Sequence, residues 1–163
     1  MKRPAYLLFF LFILWMTCCS STDNSIESNT NKEEEQTTEG VALVTNASVS
    51  GEENQYIFSV TISSPDLGCQ QYADWWEIID TDGNLLSRRI LAHSHVNEQP
   101  FTRAGAPTNI SSATEVYIRA HMNTTGYGIK VFKGSVANGF TSDNLEVEFA
   151  KDLEKIEPLP SNC

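Results

Sequence analysis

The chain has 163 residues, of which 21 are acidic and 11 basic, so its formal net charge at pH 7 is −10. This acidity argues against nucleic acid as a partner and against electrostatic attachment to anionic lipid. Hydrophobic residues make up 40% of the chain, which is enough for one packed domain of common size.

The first residues have the pattern of an export signal. Lys2 and Arg3 precede an apolar run over residues 5–16, which is short for a helix that spans a membrane. Cys18 and Cys19 follow directly, and a tract rich in Ser, Thr and Asn comes after them. This arrangement resembles a bacterial lipoprotein signal.

In lipoproteins of this kind a cysteine becomes the acylated first residue of the mature chain. The resemblance implies a signal peptide over residues 1–18, with Cys19 as the lipidated residue and Cys18 as the alternative. It also implies a lipid anchor in the outer membrane of a bacterial cell envelope, with the protein on the periplasmic or the outer side. Ordinary secretion and an uncleaved anchor are the other two interpretations.

The rest of the chain divides into a tether and a domain. Residues 19–40 are rich in Ser, Thr and Asn and carry three consecutive glutamates, which is typical of a disordered spacer. Residues 41–163 are predicted to form one domain. Loss of Lys2 and Arg3 with the signal would change the formal charge from −10 to −12.

Cys69 and Cys163 are the cysteines that remain in the domain. In an exported chain two such cysteines are expected to form a disulfide. The bond would tie the proline-containing tail at residues 157–160 to the domain, and closing a loop of about a hundred residues contributes about 4–5 kcal/mol in the chain-entropy model. Free thiols that act as metal ligands or nucleophiles are the alternative.

Apolar and polar residues alternate through most of the domain, which is typical of β-strands with one buried face. Asp82-Gly83 predicts a tight hairpin turn, and the only helical signal is a turn near residues 151–156. Short strands separated by turn signals predict an all-β fold, an antiparallel immunoglobulin- or fibronectin-like β-sandwich of about seven strands. The predicted strands are 41–49, 56–62, 74–80, 85–96, 115–122, 127–133 and 145–149, with a long connection over 97–113.

The three histidines of the chain lie in two of these predicted strands. In residues 85–96 the even-numbered positions are the more apolar, so His93 and His95 are expected on the polar face. In residues 115–122 the same argument places His121 on the polar face. The expected core positions are Leu86, Arg88, Ile90, Ala92, Ser94 and Val96 in the first strand, and Val116, Ile118, Ala120 and Met122 in the second. An arginine at such a position is tolerated only at a sheet margin or with a carboxylate partner.

If these two strands are neighbours, the three imidazoles predict a zinc or copper site. Residues two apart on a strand lie about 6.5–7 Å apart on one face, and opposed residues of neighbouring strands have Cβ atoms about 4.5–5.5 Å apart. Imidazole nitrogen is a common ligand of both metals. Glu98, Cys69 or water would complete the coordination. The alternatives are a structural network of polar residues and a ligand pocket without metal.

Arginines define a second candidate site on the same polar faces. Arg89 and Arg119, with Arg103 from the long connection, would bind a carboxylate or another anion, because a guanidinium group donates two parallel hydrogen bonds. The alternative is that they form salt bridges with the acidic residues Glu77, Glu98 and Glu115.

Two aromatic residues extend the predicted ligand face. Tyr117 shares the outer face of its strand with Arg119 and His121. Trp75 and Trp76 are adjacent, so they point to opposite sides of a strand, and an exposed indole at Trp75 would stack on a sugar ring. Packing in the core or at a sheet edge is the alternative.

Together these patterns predict a non-enzymatic, lipid-anchored, extracytoplasmic protein that binds a ligand, with a transition metal as the sharpest form of the hypothesis. The sequence has neither a Gly-x-Ser-x-Gly nor a His-Glu-x-x-His motif. The main alternative is a protein- or carbohydrate-interaction module of the cell envelope that binds no metal. A metal-dependent enzyme is the third.

Overall fold

The computed structural model of the protein describes residues 39–161 and 163. The predicted signal peptide, both cysteines of the signal and most of the predicted tether lie outside the described residues. The strands are β1 (Leu43–Ser50), β2 (Ile57–Ser63), β3 (Ala73–Asp80), β4 (Leu85–Ile90), β5 (Phe101–Ala104), β6 (Val116–Met122), β7 (Gly126–Tyr127), β8 (Lys130–Ser135) and β9 (Gly139–Asn144), and a 3-10 helix, η1 (Lys151–Lys155), follows them.

These strands form two antiparallel sheets that enclose one core. The three-stranded sheet has the order β1-β2-β5, and the six-stranded sheet has the order β4-β3-β6-β8-β9, with β7 paired to β6. The first sheet corresponds to the A, B and E strands of an immunoglobulin domain, and β3, β6 and β8 correspond to C, F and G. The predicted β-sandwich is therefore confirmed. Among the described residues, none of the helical structure is long and apolar enough to cross a membrane.

The core lies between the sheets, where alternate residues of each strand point inward. The inward faces of β2, β3 and β6 supply most of it, and all their core side chains are at most 1% exposed. The core residues of these strands are Phe58, Val60, Ile62, Ala73, Trp76, Ile78, Val116, Ile118, Ala120 and Met122. The inward face predicted for residues 115–122 is confirmed.

The prediction for residues 85–96 is wrong in two respects. The strand ends at Ile90, so His93 and His95 lie in a loop. In addition, Arg88 pairs with Glu77 on the outer face, and Arg89 pairs with the core residue Trp76, so from Ser87 onward the two faces are the reverse of the expected ones. Leu86 packs against the core as expected, because a register shift lies between Leu85 and Ser87. Val96, also expected in the core, is 47% exposed.

The predictions for two edge strands are wrong, because the sequences of these strands lack the alternation of a half-buried strand. Strand β5 lies within the predicted long connection and has one inward apolar residue, Phe101. The last strand, β9, precedes the predicted residues 145–149, which belong to no strand. A hairpin signal for β9 exists at Asn138-Gly139, where the glycine has a φ of 77°.

The predicted disulfide is confirmed. Cys69 and Cys163 are bonded, with their Cα atoms 5.4 Å apart and a sequence separation of 94. The bond joins the end of the chain to the connection between β2 and β3. The turn predicted at Asp82-Gly83 is also present, and the NH of Asp80 bonds to the carbonyl of Asn84.

Candidate functional site

A buried carboxylate organises the outer face of the six-stranded sheet. Glu77 of β3 is 0% exposed and lies between Arg88 of β4 and Arg119 of β6. The Nε and Nη2 of Arg88 lie 2.7 and 2.6 Å from Oε2 of Glu77, and the same nitrogens of Arg119 both lie 2.8 Å from its Oε1. Arg88 therefore has a carboxylate partner, Glu77, and the two positive charges of the arginines share one negative charge.

A C-terminal strap, residues 149–158, covers this triad of ionic side chains. The Nη1 and Nη2 groups of both arginines donate hydrogen bonds to it, and every acceptor in the strap is a backbone carbonyl. Arg119 bonds to the carbonyls of Phe149 and Ala150, and Arg88 bonds to those of Leu153, Ile156 and Pro158, at distances between 2.5 and 3.1 Å. The triad thus joins the strap to the sheet.

An aromatic stack lies beside the triad. The ring of His121 is parallel to the indole of Trp75, with centroids 3.6 Å apart, and its Nδ1 is 2.7 Å from Oδ1 of Asp74. The guanidinium of Arg88 lies 4.7 Å from the centroid of the same indole, and that of Arg119 lies 3.5 Å from the ring of Tyr127. Burial, followed by the negative charge of Glu77, raises the pKa of Tyr127.

The predicted ligand face is therefore covered rather than open. Trp75, Arg119 and His121 lie on the outer face as expected, but each is at most 8% exposed. Trp75 therefore has no exposed ring that could stack on a sugar, and Arg119 forms a salt bridge with Glu77. Tyr117 is half-buried, with the ring of Phe149 5.9 Å away. The salt-bridge alternative with Glu77 is what the structure shows for Arg119.

The premise of a three-histidine cluster is also wrong. Strand β3 lies between β4 and β6, so the two predicted histidine strands are not neighbours. His121 belongs to the covered outer face, whereas His93 and His95 lie in the β4–β5 loop. Arg89 is exposed on β4 with its partner Trp76 on the core side, so it does not share a face with Arg119 either.

His93 and His95 belong to a second region, the loop end, which consists of the β2–β3 loop (residues 64–72), the β4–β5 loop (residues 91–100) and the β6–β7 turn (residues 123–125). Buried Asp66 joins the first two loops, because its Oδ2 accepts the backbone NH of His95 at 2.7 Å.

Further hydrogen bonds complete the connections within the loop end. The Oε1 of Gln99 accepts the NH of Ser64, and Asn123 bonds to the NH of Tyr72 and the carbonyl of Cys69. In immunoglobulin domains, loops that cluster at one end of the sandwich form the binding surface.

The two histidine rings of the loop end lie side by side. Their centroids are 4.6 Å apart, and the ring of His95 also stacks on Phe101 at 3.8 Å. His95 is 3% exposed, whereas His93 is exposed. Within the described part of the chain, neither ring nitrogen of His95 has a hydrogen-bond partner. Burial lowers the pKa of His95, and the charges of Arg103 and His93 lower it further.

The other predicted ligands are arranged differently around these rings. Glu98 forms an ion pair with Arg103 at 2.7 Å, and this hydrogen bond lowers the pKa of the carboxyl. Cys69 is in the disulfide. Across residues 39–161 and 163, no group of three or more His, Cys, Asp or Glu side chains has an arrangement that could hold a metal ion. Of the predicted metal ligands, the structure brings together His93 and His95.

Sequence reasoning missed the residues that build the loop end. Asp66 and Asn123 bond to backbone groups of another segment, and no local pattern reveals such long-range partners. Strand β3 does carry a signal for the triad, because Glu77 lies among the large apolar residues of a central strand. A charged residue at such a position is rarely left without a partner.

The fold and the loops together define an immunoglobulin-like β-sandwich whose loop end is fixed by a disulfide and a buried aspartate. No family model matches the sequence, and no solved structure matches it. A curated protein of Halomicrobium mukohataei, named "Putative lipoprotein", is 36% identical over 121 residues, which are 71% of this chain and 59% of that relative. Its name refers to lipid attachment, and the chain spans about three fifths of its length.

Proposed function

We propose that this chain is a lipid-anchored protein of the cell envelope whose immunoglobulin-like domain binds a ligand at the loop end. Three observations support the anchor: the apolar run that ends at Cys18 and Cys19, the name of the archaeal relative, and the Cys69–Cys163 bond, which is typical of an oxidising compartment. The outer membrane as the site of attachment stays a prediction.

The anchor is tested by expressing the full chain with a radiolabelled or clickable fatty acid. We expect labelling and partition into detergent that Cys19→Ala abolishes and Cys18→Ala preserves. The reverse result would move the lipid to Cys18. Secretion of the wild-type chain without label would refute the anchor.

The ligand that we propose is a zinc or copper ion held by His93 and His95. The observation that carries this proposal is the buried ring of His95, whose two nitrogens have no partner among the residues that the structure describes. A buried polar group without a partner costs about 1–3 kcal/mol, and a metal ion bound to the ring would remove part of that cost. The exposed His93 supplies the second imidazole, and water would fill the other positions.

The metal proposal is tested by calorimetric titration of the purified protein with Zn²⁺ and with Cu²⁺. We expect binding that His93→Ala abolishes, that His121→Gln preserves, and that is lost below about pH 6, because only neutral imidazole binds a metal. Melting temperatures of both variants show whether they are folded. No binding by the wild-type protein would refute the metal and favour the interaction module.

Loss of binding in a folded His121→Gln variant would instead favour the three-histidine site. That site requires contacts that the order of strands in the six-stranded sheet does not provide. The His121→Gln variant therefore distinguishes a site of two histidines from a site of three.

A further inference from the structure

The chain enters its folded domain at the loop end. The hydroxyl of Thr125, in the β6–β7 turn, donates a hydrogen bond of 2.7 Å to the carbonyl of Gly40. Leu43, the first residue of β1, pairs with Ser63, the last residue of β2 before the β2–β3 loop. The segment that carries Cys18 and Cys19 is therefore attached beside the three loops.

The same end exposes two large apolar side chains. Leu67 of the β2–β3 loop is 76% exposed, and Val96 of the β4–β5 loop is 47% exposed. In the described part of the chain, they are two of the three large hydrophobic side chains exposed to solvent. Leu67 directly follows Asp66, and Val96 directly follows His95. Because Asp66 and His95 are hydrogen-bonded to each other, the fold holds both apolar residues in place in their loops.

The three loops themselves carry little negative charge, although the exposed Glu39 lies beside them. The three loops contain two carboxylates, of which Asp66 is buried and Glu98 is paired with Arg103. The other end of the sandwich holds the β1–β2 turn, the β3–β4 turn and the residue before β6. Its carboxylates are Glu52, Glu53, Asp80, Asp82 and Glu115.

We propose that the loop end faces the lipid surface to which the chain is anchored, and that Leu67 and Val96 contact the lipid there. This inference rests on the proposed lipid anchor. The segment between Cys19 and the described domain, about twenty residues, spans at most about 70 Å. Two apolar side chains are too few to hold a free domain on a membrane, but the anchor keeps them at a high effective concentration beside it.

The orientation is tested with the lipidated full chain in phosphatidylcholine vesicles that contain brominated acyl chains, which quench nearby tryptophan. Three variants, Leu67→Trp, Val96→Trp and the matched control Asp82→Trp, place an indole at either end of the domain. Trp75 and Trp76 are buried, so the wild-type protein gives the background. We expect loss of fluorescence beyond that background for positions 67 and 96, and none for position 82.

The outcomes separate this inference from the anchor on which it rests. If the protein does not float with the vesicles in a density gradient, the anchor itself is refuted. If it floats but positions 67 and 96 are not quenched, the anchor stands and the contact with lipid is refuted, which leaves the apolar tips as a surface for a protein partner. Equal quenching at all three positions would refute the orientation.

Discussion

Glu77 is the residue whose loss should damage this domain most. Its carboxylate is fully buried and accepts hydrogen bonds from Arg88 and Arg119, and both arginines also bind carbonyls of the C-terminal strap. In Glu77→Gln the side chain keeps its shape but loses its charge. One of its two oxygens is replaced by an NH₂ group, which cannot accept a hydrogen bond from a guanidinium group.

The magnitude follows from the burial of the three side chains. Breaking a buried ion pair by removal of one partner costs about 3–5 kcal/mol, because the remaining charge is left uncompensated. A domain of this size has a free energy of unfolding of about 5–15 kcal/mol, so Glu77→Gln should remove a large part of it. Apolar replacement of the whole triad should not be neutral either, because five strap carbonyls would lose their donors.

The assay is urea unfolding under non-reducing conditions, followed by the fluorescence of Trp75 and Trp76. The matched control is Glu115→Gln, in which a half-exposed carboxylate 3.4 Å from Lys133 loses its charge, and no measurable change is expected. If Glu77→Gln unfolds at the same urea concentration as Glu115→Gln, the triad does not hold the strap and the reasoning is wrong.

Three further predictions concern stability. Cys69→Ser should lower the free energy of unfolding by about 4–5 kcal/mol in urea titrations, since it opens a long loop, and a loss below about 1 kcal/mol would show that the strap holds Cys163 unaided. The pKa of His95 is lowered in the folded state, so the unfolded chain binds the proton more readily. The free energy of unfolding, measured in EDTA, should therefore fall as the pH drops below about 6.5. His95→Phe should weaken this pH dependence. Gly105→Ala places a Cβ 2.7 Å from Cη2 of Trp76 and should cost about 1–3 kcal/mol in thermal melts; an unchanged melting temperature would mean that the indole moves freely.

Local sequence determined the parts of the fold that depend on neighbouring residues. Alternation of apolar and polar residues identified β2 and the inward face of β6, because one face of each strand packs in the core. Asp82-Gly83 identified a hairpin, because the turn requires a positive φ that glycine adopts without strain. The disulfide followed from the number of cysteines in an exported chain.

Only the tertiary structure decided the order of the strands and the cover of the outer face. Alternation reports which side chains share a face of a strand, but it does not report which strand lies alongside or what lies above. It therefore placed His121 correctly and could not show that β3 separates it from His93 and His95. The strap carries no such alternation, and backbone carbonyls, which every residue has, bind it to Arg88 and Arg119. Every residue has a backbone carbonyl, so the sequence does not reveal which carbonyls accept these hydrogen bonds.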